Sequence, residues 1–109
     1  MSFKKNKNYN QYRKQTKLVR GGLLRSSHGE TSEAIFMNSG YVFNSAEEAQ
    51  ARFAGELDGY LYSRYGNPTV TIFEERMALN EGAETCFATA SGMSAVFASM
   101  LSYLKSGDH

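Results

Sequence analysis

The chain has 109 residues, a net charge of +1 and an apolar content of 41%, values typical of one small globular unit. Its single cysteine, Cys86, excludes an internal disulfide and has no metal-ligand spacing around it, so the sequence predicts a reduced, cytoplasmic setting. No apolar run is long enough to cross a membrane, and the amino terminus lacks the apolar core of a secretory signal.

The charge is unevenly divided along the chain. The first 29 residues hold eight basic and no acidic side chains, whereas the rest hold four basic and eleven acidic ones. We expect residues 1–15, rich in Lys, Asn, Tyr and Gln, to form a disordered basic arm that later drapes over a partner subunit. Tyr9 and Tyr12 between the lysines also fit contact with nucleic acid, and a weak organellar address is a third alternative. The arm is the preferred interpretation, so no nucleic-acid or membrane partner is predicted.

The segment after the arm predicts little regular structure. Residues 16–20 predict one turn of helix, which Gly21 and Gly22 end. Residues 23–44 show no helical period, so we expect an extended arm or loop there. Residues 16–66 are therefore assigned to an amino-terminal arm or small segment.

Two helix starts are marked by capping residues. Ser45 is a suitable N-cap for a helix over residues 46–54, with two glutamates in the favourable first turn. Asn67 followed by Pro68 predicts a second helix that runs to about Asn80, with Gly82 just past its end, because the missing N–H of proline costs nothing at the first helical position. The apolar face of this second helix is predicted from Val70, Phe73 and Met77.

The last part of the chain predicts a buried strand over residues 84–90 and an amphipathic helix over residues 92–104. The apolar side chains of that helix are Met93, Val96, Phe97, Met100, Leu101 and Leu104. One strand without a partner is an unfinished sheet, and the sequence stops where an α/β protein would enter its next strand. We therefore expect an α/β fold that is truncated, with residues 67–109 forming the incomplete start of a large domain.

Two segments have the character of phosphate sites. The Ser-Gly-Met turn at residues 91–93 opens a helix, and a helix start offers backbone N–H groups to an anion. The other segment offers the planar donors of Arg64 beside the hydroxyl group of Tyr62. Either segment alone also fits a purely structural role, as a tight turn or as a surface Tyr–Arg pair. Together they predict a phosphorylated cofactor.

These segments resemble the pyridoxal-phosphate family of cystathionine synthases, cystathionine lyases and methionine lyases. The likeness covers about residues 18–109, with Tyr-Ser-Arg-Tyr-Gly-Asn-Pro-Thr at 62–69 and Ala-Thr-Ala-Ser-Gly-Met at 88–93. Gly-Glu-Thr-Ser-Glu-Ala at 29–34 points to the sulfhydrylase branch. The resemblance implies a fold-type-I transferase of methionine biosynthesis (transsulfuration) that replaces the succinyl group of O-succinylhomoserine with a sulfur nucleophile, giving homocysteine. The resemblance leaves two choices open: whether the sulfur donor is sulfide or cysteine, and whether the leaving group is succinyl or acetyl.

The resemblance also implies roles for individual residues. Residues matching Gly92 and Met93 hold the phosphate of pyridoxal 5'-phosphate through backbone amides, and Ser91 caps the helix. Residues matching Tyr62 and Arg64 reach across a dimer interface to the cofactor phosphate of the neighbouring subunit. This implies a homo-oligomer with shared sites and a small amino-acid substrate. The side chain of Met93 is expected in the core.

Tyr65 lies within the same string as Arg64, and two roles are open for it: packing at the interface, or a contribution to the site.

Pyridoxal-phosphate chemistry also needs a lysine that attaches the cofactor. The family lysine lies in a Ser-x-Thr-Lys context, which none of the six lysines here has: Lys4, Lys5, Lys7, Lys14, Lys17 and Lys105. The resemblance therefore implies no catalytic residue in this chain, and His28 and His109 are isolated, so no metal site is predicted. We expect a family member that is inactive alone; the alternative is a non-catalytic assembly piece that complements a separately encoded remainder or an intact homologue.

Overall fold

The computed structural model describes Tyr9 and residues 11–109. In that part of the chain, four helices are joined by open chain: α1 (Lys14–Arg20), α2 (Ala46–Phe53), α3 (Pro68–Glu81) and α4 (Gly92–Tyr103). One isolated antiparallel bridge pairs Gly40 with Tyr62. Most of the predicted disordered arm, including Lys4, Lys5 and Lys7, lies outside the described residues.

Helix α3 begins and ends where its sequence predicted. The side chain of Asn67 accepts a hydrogen bond from the N–H of Thr69 at 2.9 Å, and Pro68 occupies the first turn. Gly82 ends the helix with a φ of 67°, in the left-handed region that glycine adopts without strain. These local signals confirm the predicted helix.

The turn after α1 lies directly against α3. A Cβ atom on Gly21 would lie 2.8 Å from Leu79 Cδ1, and one on Gly22 would lie 2.8 Å from Glu75 Cβ. Arg76 Nε also donates to the Gly21 carbonyl at 3.2 Å. The two glycines therefore permit a close approach that any larger side chain would obstruct.

This approach decides which face of α3 is buried. Ile72 and Ala78 are buried, whereas Val70 and Phe73 are 42% and 53% exposed. These two residues of the predicted apolar face are therefore not on the buried side of α3. Spacing identifies an apolar stripe along a helix, but the neighbouring element determines which side is covered.

The two earlier helices also follow local signals. Ser45 Oγ accepts from the N–H of Glu48 at 3.1 Å and so caps α2, which confirms the predicted helix. Helix α1 begins at Lys14, two residues before the predicted start, because Lys and Gln are good helix formers. Between the two, the described chain has no helix or strand, as predicted for an extended arm.

The predicted buried strand over residues 84–90 is not formed in the described part of the chain, and Phe87 is 83% exposed. A strand requires hydrogen bonds to a neighbouring strand, and no such neighbour is present among the described residues. Helix α4 follows with all its residues exposed, so the expectation of a buried Met93 side chain is also wrong. In these described residues no other helix packs on α4. The described fold is accordingly mostly helical.

Candidate cofactor-phosphate site

Backbone hydrogen bonds fix the start of the loop that carries Arg64. Tyr62 forms the antiparallel bridge with Gly40, and the N–H of Ser63 donates to the carbonyl of Ser39 at 2.9 Å. The extended segment at residues 39–40 thus pairs with the start of the loop through its backbone. These hydrogen bonds therefore hold in place the backbone that carries the predicted phosphate-binding side chains of Tyr62 and Arg64.

The side chain of Ser63 connects this loop to two other segments. Its Oγ donates to the carbonyl of Asn38 and accepts from Asn67 Nδ2 at 3.1 Å. Tyr41 Oη lies 3.5 Å from the same Oγ atom. The sequence identified Asn67 only as a helix cap and did not identify Ser63. The one available signal was their spacing of four residues within the family string.

The guanidinium group of Arg64 lies beside two neighbouring aromatic rings. Arg64 Cζ is 5.3 Å from the ring centroid of Tyr62 and 5.5 Å from that of Tyr65. The two rings are 6.4 Å apart and inclined at 63°. Both tyrosines belong to one turn, in which the N–H groups of Tyr65 and Gly66 donate to the Tyr62 carbonyl at 2.9 and 3.1 Å.

Arg64 has no hydrogen bond or ion pair with any described residue, and it is exposed. Other arginines in the same part of the chain are engaged with a carbonyl or a carboxylate: Arg20, Arg25, Arg52 and Arg76. A cation–π contact uses the positive charge of the guanidinium group and none of its five N–H donors. Arg64 can therefore offer paired donors to an oxyanion.

The start of α4 forms the second half of the candidate site. Ser91 Oγ accepts from the N–H of Ser94 at 3.1 Å, so its predicted role as a cap is confirmed. The N–H groups of Gly92 and Met93 donate no hydrogen bond to any described residue. A Cβ atom placed on Gly92 would meet nothing within 4 Å. Open space and two unpaired donors at a helix N-terminus fit a phosphate group.

The structure does not bring the two halves together within one chain. Across the described residues, no hydrogen bond, ion pair or ring contact joins Tyr62 or Arg64 to the turn at residues 91–93. Of the lysines, Lys14 and Lys17 lie on α1 and Lys105 is exposed after α4. Among described residues no cluster of metal-ligating side chains is found, and none of the helices could span a membrane.

Both acidic residues of the string at 29–34 have structural partners. The Ser26 N–H and Oγ each donate to the Glu30 carboxylate at 2.7 Å, which lowers the pKa of Glu30 to about 2. Glu33 pairs with Arg76 through contacts of 2.8 and 3.3 Å, and this pairing lowers the pKa of Glu33. The Glu30 carboxylate thus closes a turn within the extended segment, and the Glu33 carboxylate ties that segment to α3.

We expect Glu33→Gln to reduce the helix content of the chain at pH 7 and to flatten its loss of helix in acid. Arg76 holds the pKa of Glu33 below the ordinary 4.5, so the pair stabilises the fold above that value and is lost as pH falls through the lowered pKa. Circular dichroism from pH 7 to pH 3 measures the difference. Glu56→Gln is the matched control, because Glu56 is exposed and has no ion pair in the described chain. Coincident curves for the parent and Glu33→Gln would contradict a stabilising role for the pair.

Comparison with known proteins gives one family. A family model described as Cys/Met metabolism PLP-dependent enzyme matches residues 15–109. The chain is 62% identical over 90 residues to an O-succinylhomoserine sulfhydrylase of Mycobacterium tuberculosis, covering 83% of this chain and 22% of that protein. It is 57% identical over 94 residues to an O-succinylhomoserine sulfhydrylase of Pseudomonas aeruginosa, covering 86% of this chain and 23% of that protein.

A solved structure supports the same assignment. The fold matches the crystal structure of a protein assigned as an O-acetylhomoserine (thiol)-lyase of Campylobacter jejuni, with a TM-score of 0.82 and 33% identity. The match covers 89% of this chain and 24% of that chain, which carries a pyridoxyl-lysine phosphate group. The chain thus spans between 22% and 24% of the length of these three relatives.

Proposed function

The chain belongs to the family of Cys/Met metabolism PLP-dependent enzymes, and we propose that it supplies the amino-terminal, phosphate-binding part of an O-succinylhomoserine sulfhydrylase. The reaction would exchange the succinyl group of O-succinylhomoserine for a sulfur nucleophile, with homocysteine as product. The two sulfhydrylases that are 62% and 57% identical to it support this substrate. The cofactor of the family is pyridoxal phosphate.

The observation that carries the proposal is a pair of matched donor sets. Among the described residues, none accepts a hydrogen bond from the Arg64 guanidinium group beside Tyr62, and none accepts one from the two N–H groups at the start of α4, which face the open space at Gly92. Bound pyridoxal phosphate supplies an electron sink for bonds at the amino-acid substrate. The protein residues would anchor its phosphate: Ser91 keeps the helix end in place, and Arg64 balances the negative charge.

We propose further that the two halves belong to sites shared between chains. Arg64 and Tyr62 of one copy would serve the phosphate held at residues 91–93 of a second copy in a homo-oligomer. The exposure of both halves, and the lack of a contact between them in the described chain, support this arrangement. Residues 67–109 would begin the large cofactor domain of a fold-type-I transferase, in which residues 84–90 gain a partner strand. A cytoplasmic setting is proposed with it, from the single cysteine.

A hybrid enzyme tests the function. In it the 109-residue chain replaces the matching segment of the Mycobacterium tuberculosis sulfhydrylase, whose remaining part is unchanged. We expect the hybrid to release homocysteine from O-succinylhomoserine and sulfide, because the chain supplies the phosphate-binding residues in their family context. The 109-residue chain alone is the control and should be inactive, since its lysines lack the family context. A folded hybrid that binds pyridoxal phosphate but leaves O-succinylhomoserine intact would overturn the proposed substrate.

A further inference from the structure

Tyr65 is a large aromatic residue whose side chain is 74% exposed on the loop that carries Arg64. Its hydroxyl group has no hydrogen bond to the described residues, and its ring contacts are with Arg64 and Tyr62. A residue so placed contributes little to a core. Within the described part of the chain, its ring therefore interacts with the guanidinium group and with the neighbouring ring.

We propose that Tyr65 is a positioning residue that holds Arg64 for phosphate binding. The inference rests on the proposed function, because the oxyanion bound by Arg64 is there the phosphate of the cofactor. Tyr62 and Tyr65 form an aromatic clamp, defined by these two rings with Arg64 Cζ 5.3 and 5.5 Å from their centroids. The clamp contacts the guanidinium group through its two rings, and no described residue accepts a hydrogen bond from the N–H donors of that group.

The turn that brings Tyr62 and Tyr65 together is formed in the absence of any ligand. The N–H of Tyr65 donates to the Tyr62 carbonyl at 2.9 Å, which closes a turn with Arg64 inside it. Ser63 fastens the same turn to the arm and to α3 through Asn38 and Asn67. Main-chain hydrogen bonds therefore bring the backbones of Tyr62 and Tyr65 together without any contribution from the arginine side chain.

The clamp has a physical consequence for affinity. A free arginine side chain samples many rotamers, and binding a phosphate with two parallel donors requires one of them. A cation–π contact at an exposed site is weak, but it reduces this sampling without using any N–H donor. Losing one ring of the two should therefore weaken phosphate binding about two- to fivefold, much less than losing the guanidinium group itself.

The test uses the complete 109-residue chain labelled with ¹⁵N, and two variants, Tyr65→Leu and Tyr65→Phe. Before any ligand is added, the aromatic rings should shift the Arg64 Nε–H and Cδ proton resonances upfield. This ring-current shift should persist in Tyr65→Phe, which keeps the ring, and should decrease in Tyr65→Leu, which removes it. Titration with pyridoxamine 5'-phosphate, which carries the phosphate but no aldehyde to react with lysines, then gives the affinity at Arg64. Inorganic phosphate is titrated in parallel.

We expect Tyr65→Phe to bind like the parent and Tyr65→Leu to bind about two- to fivefold more weakly. Arg64 resonances at random-coil positions in the parent, or equal affinities for Tyr65→Leu and the parent, would overturn the positioning role. Arg64→Ala separates this result from the proposed function. If Arg64→Ala weakens binding while Tyr65→Leu does not, only the clamp is wrong. If ligand leaves the Arg64 resonances unshifted while the ring-current shift is present, the assignment of Arg64 to phosphate is wrong, and the role of Tyr65 fails with it.

Discussion

Arg64→Ala should weaken retention of pyridoxal phosphate by the hybrid enzyme at least about tenfold. Arg64 presents N–H donors that no described residue occupies, and alanine supplies none. Hydrogen bonds to charged groups contribute about 1.5–3 kcal/mol each, and about 1.4 kcal/mol corresponds to a tenfold change in affinity. Reconstituting the cofactor-free hybrid with increasing cofactor measures the effect.

The matched control is Arg13→Ala. Arg13 is also exposed and forms no hydrogen bond or ion pair with the described residues, so its loss changes the net charge equally. Arg64→Lys adds a second comparison, because lysine keeps the charge but lacks the planar pair of donors. We expect Arg64→Lys to fall between the parent and Arg64→Ala. If Arg13→Ala weakens cofactor retention as much as Arg64→Ala does, the effect is due to overall charge, and Arg64 is not part of the phosphate site.

The same variant tests the sharing of sites between chains. The partner in the mixture is a hybrid whose cofactor-attaching lysine, in the Mycobacterium tuberculosis part, has been replaced. Mixing it with the Arg64→Ala hybrid should restore one working site in each heterodimer, because the intact Arg64 of one chain serves the intact lysine site of the other. Failure to restore activity, although both parents fold and dimerise, would show that Arg64 does not act across the interface.

The helix boundaries could be predicted because their causes are local. Ser45, Asn67 and Ser91 each accept a hydrogen bond from an N–H two or three residues ahead, so each cap is contained in a short stretch of sequence. Gly82 likewise ends α3 through its own backbone conformation. Such signals depend on no distant residue, and the structure confirms them.

The buried surfaces could not be predicted, because they depend on distant elements. The face of α3 is determined by the approach of Gly21 and Gly22, which precede it by about fifty residues. The strand predicted over residues 84–90 needs a neighbouring strand, and the exposed Met93 side chain needs a surface to cover it. Spacing identifies apolar residues but not their partners.

The candidate site shows the same division. Tyr62, Arg64 and the turn at residues 91–93 were identified from their chemistry and from the resemblance. The contribution of Ser63 requires the arm to lie beside the loop, a contact between residues 25 positions apart. The clamp around Arg64 depends on the turn that closes between Tyr62 and Tyr65. Residue types thus indicate the groups that we propose to bind phosphate, whereas the groups that we propose to position them are visible only in the fold.

Gly92→Val should reduce cofactor retention by the hybrid at least about tenfold while leaving α4 intact. A Cβ atom at this position meets nothing within 4 Å, and the φ of Gly92 lies outside the left-handed region, so valine introduces no strain in the chain itself. Valine also has a higher helix propensity than glycine. The branched side chain would instead occupy the open space through which a phosphate reaches the N–H groups of Gly92 and Met93.

A comparison with Ser91→Ala makes this prediction specific. Removing the Ser91 hydroxyl group removes the cap of α4, which costs about 0.5–2 kcal/mol of helix stability, but leaves the approach to the N–H groups open. Thermal unfolding and cofactor titration of the hybrid should therefore separate the two variants. Ser91→Ala should lower the unfolding temperature of the cofactor-free protein, whereas Gly92→Val should lower only the affinity, with Gly92→Ala intermediate. If the Gly92→Val hybrid retains pyridoxal phosphate as tightly as its parent, the backbone at the start of α4 does not hold the phosphate.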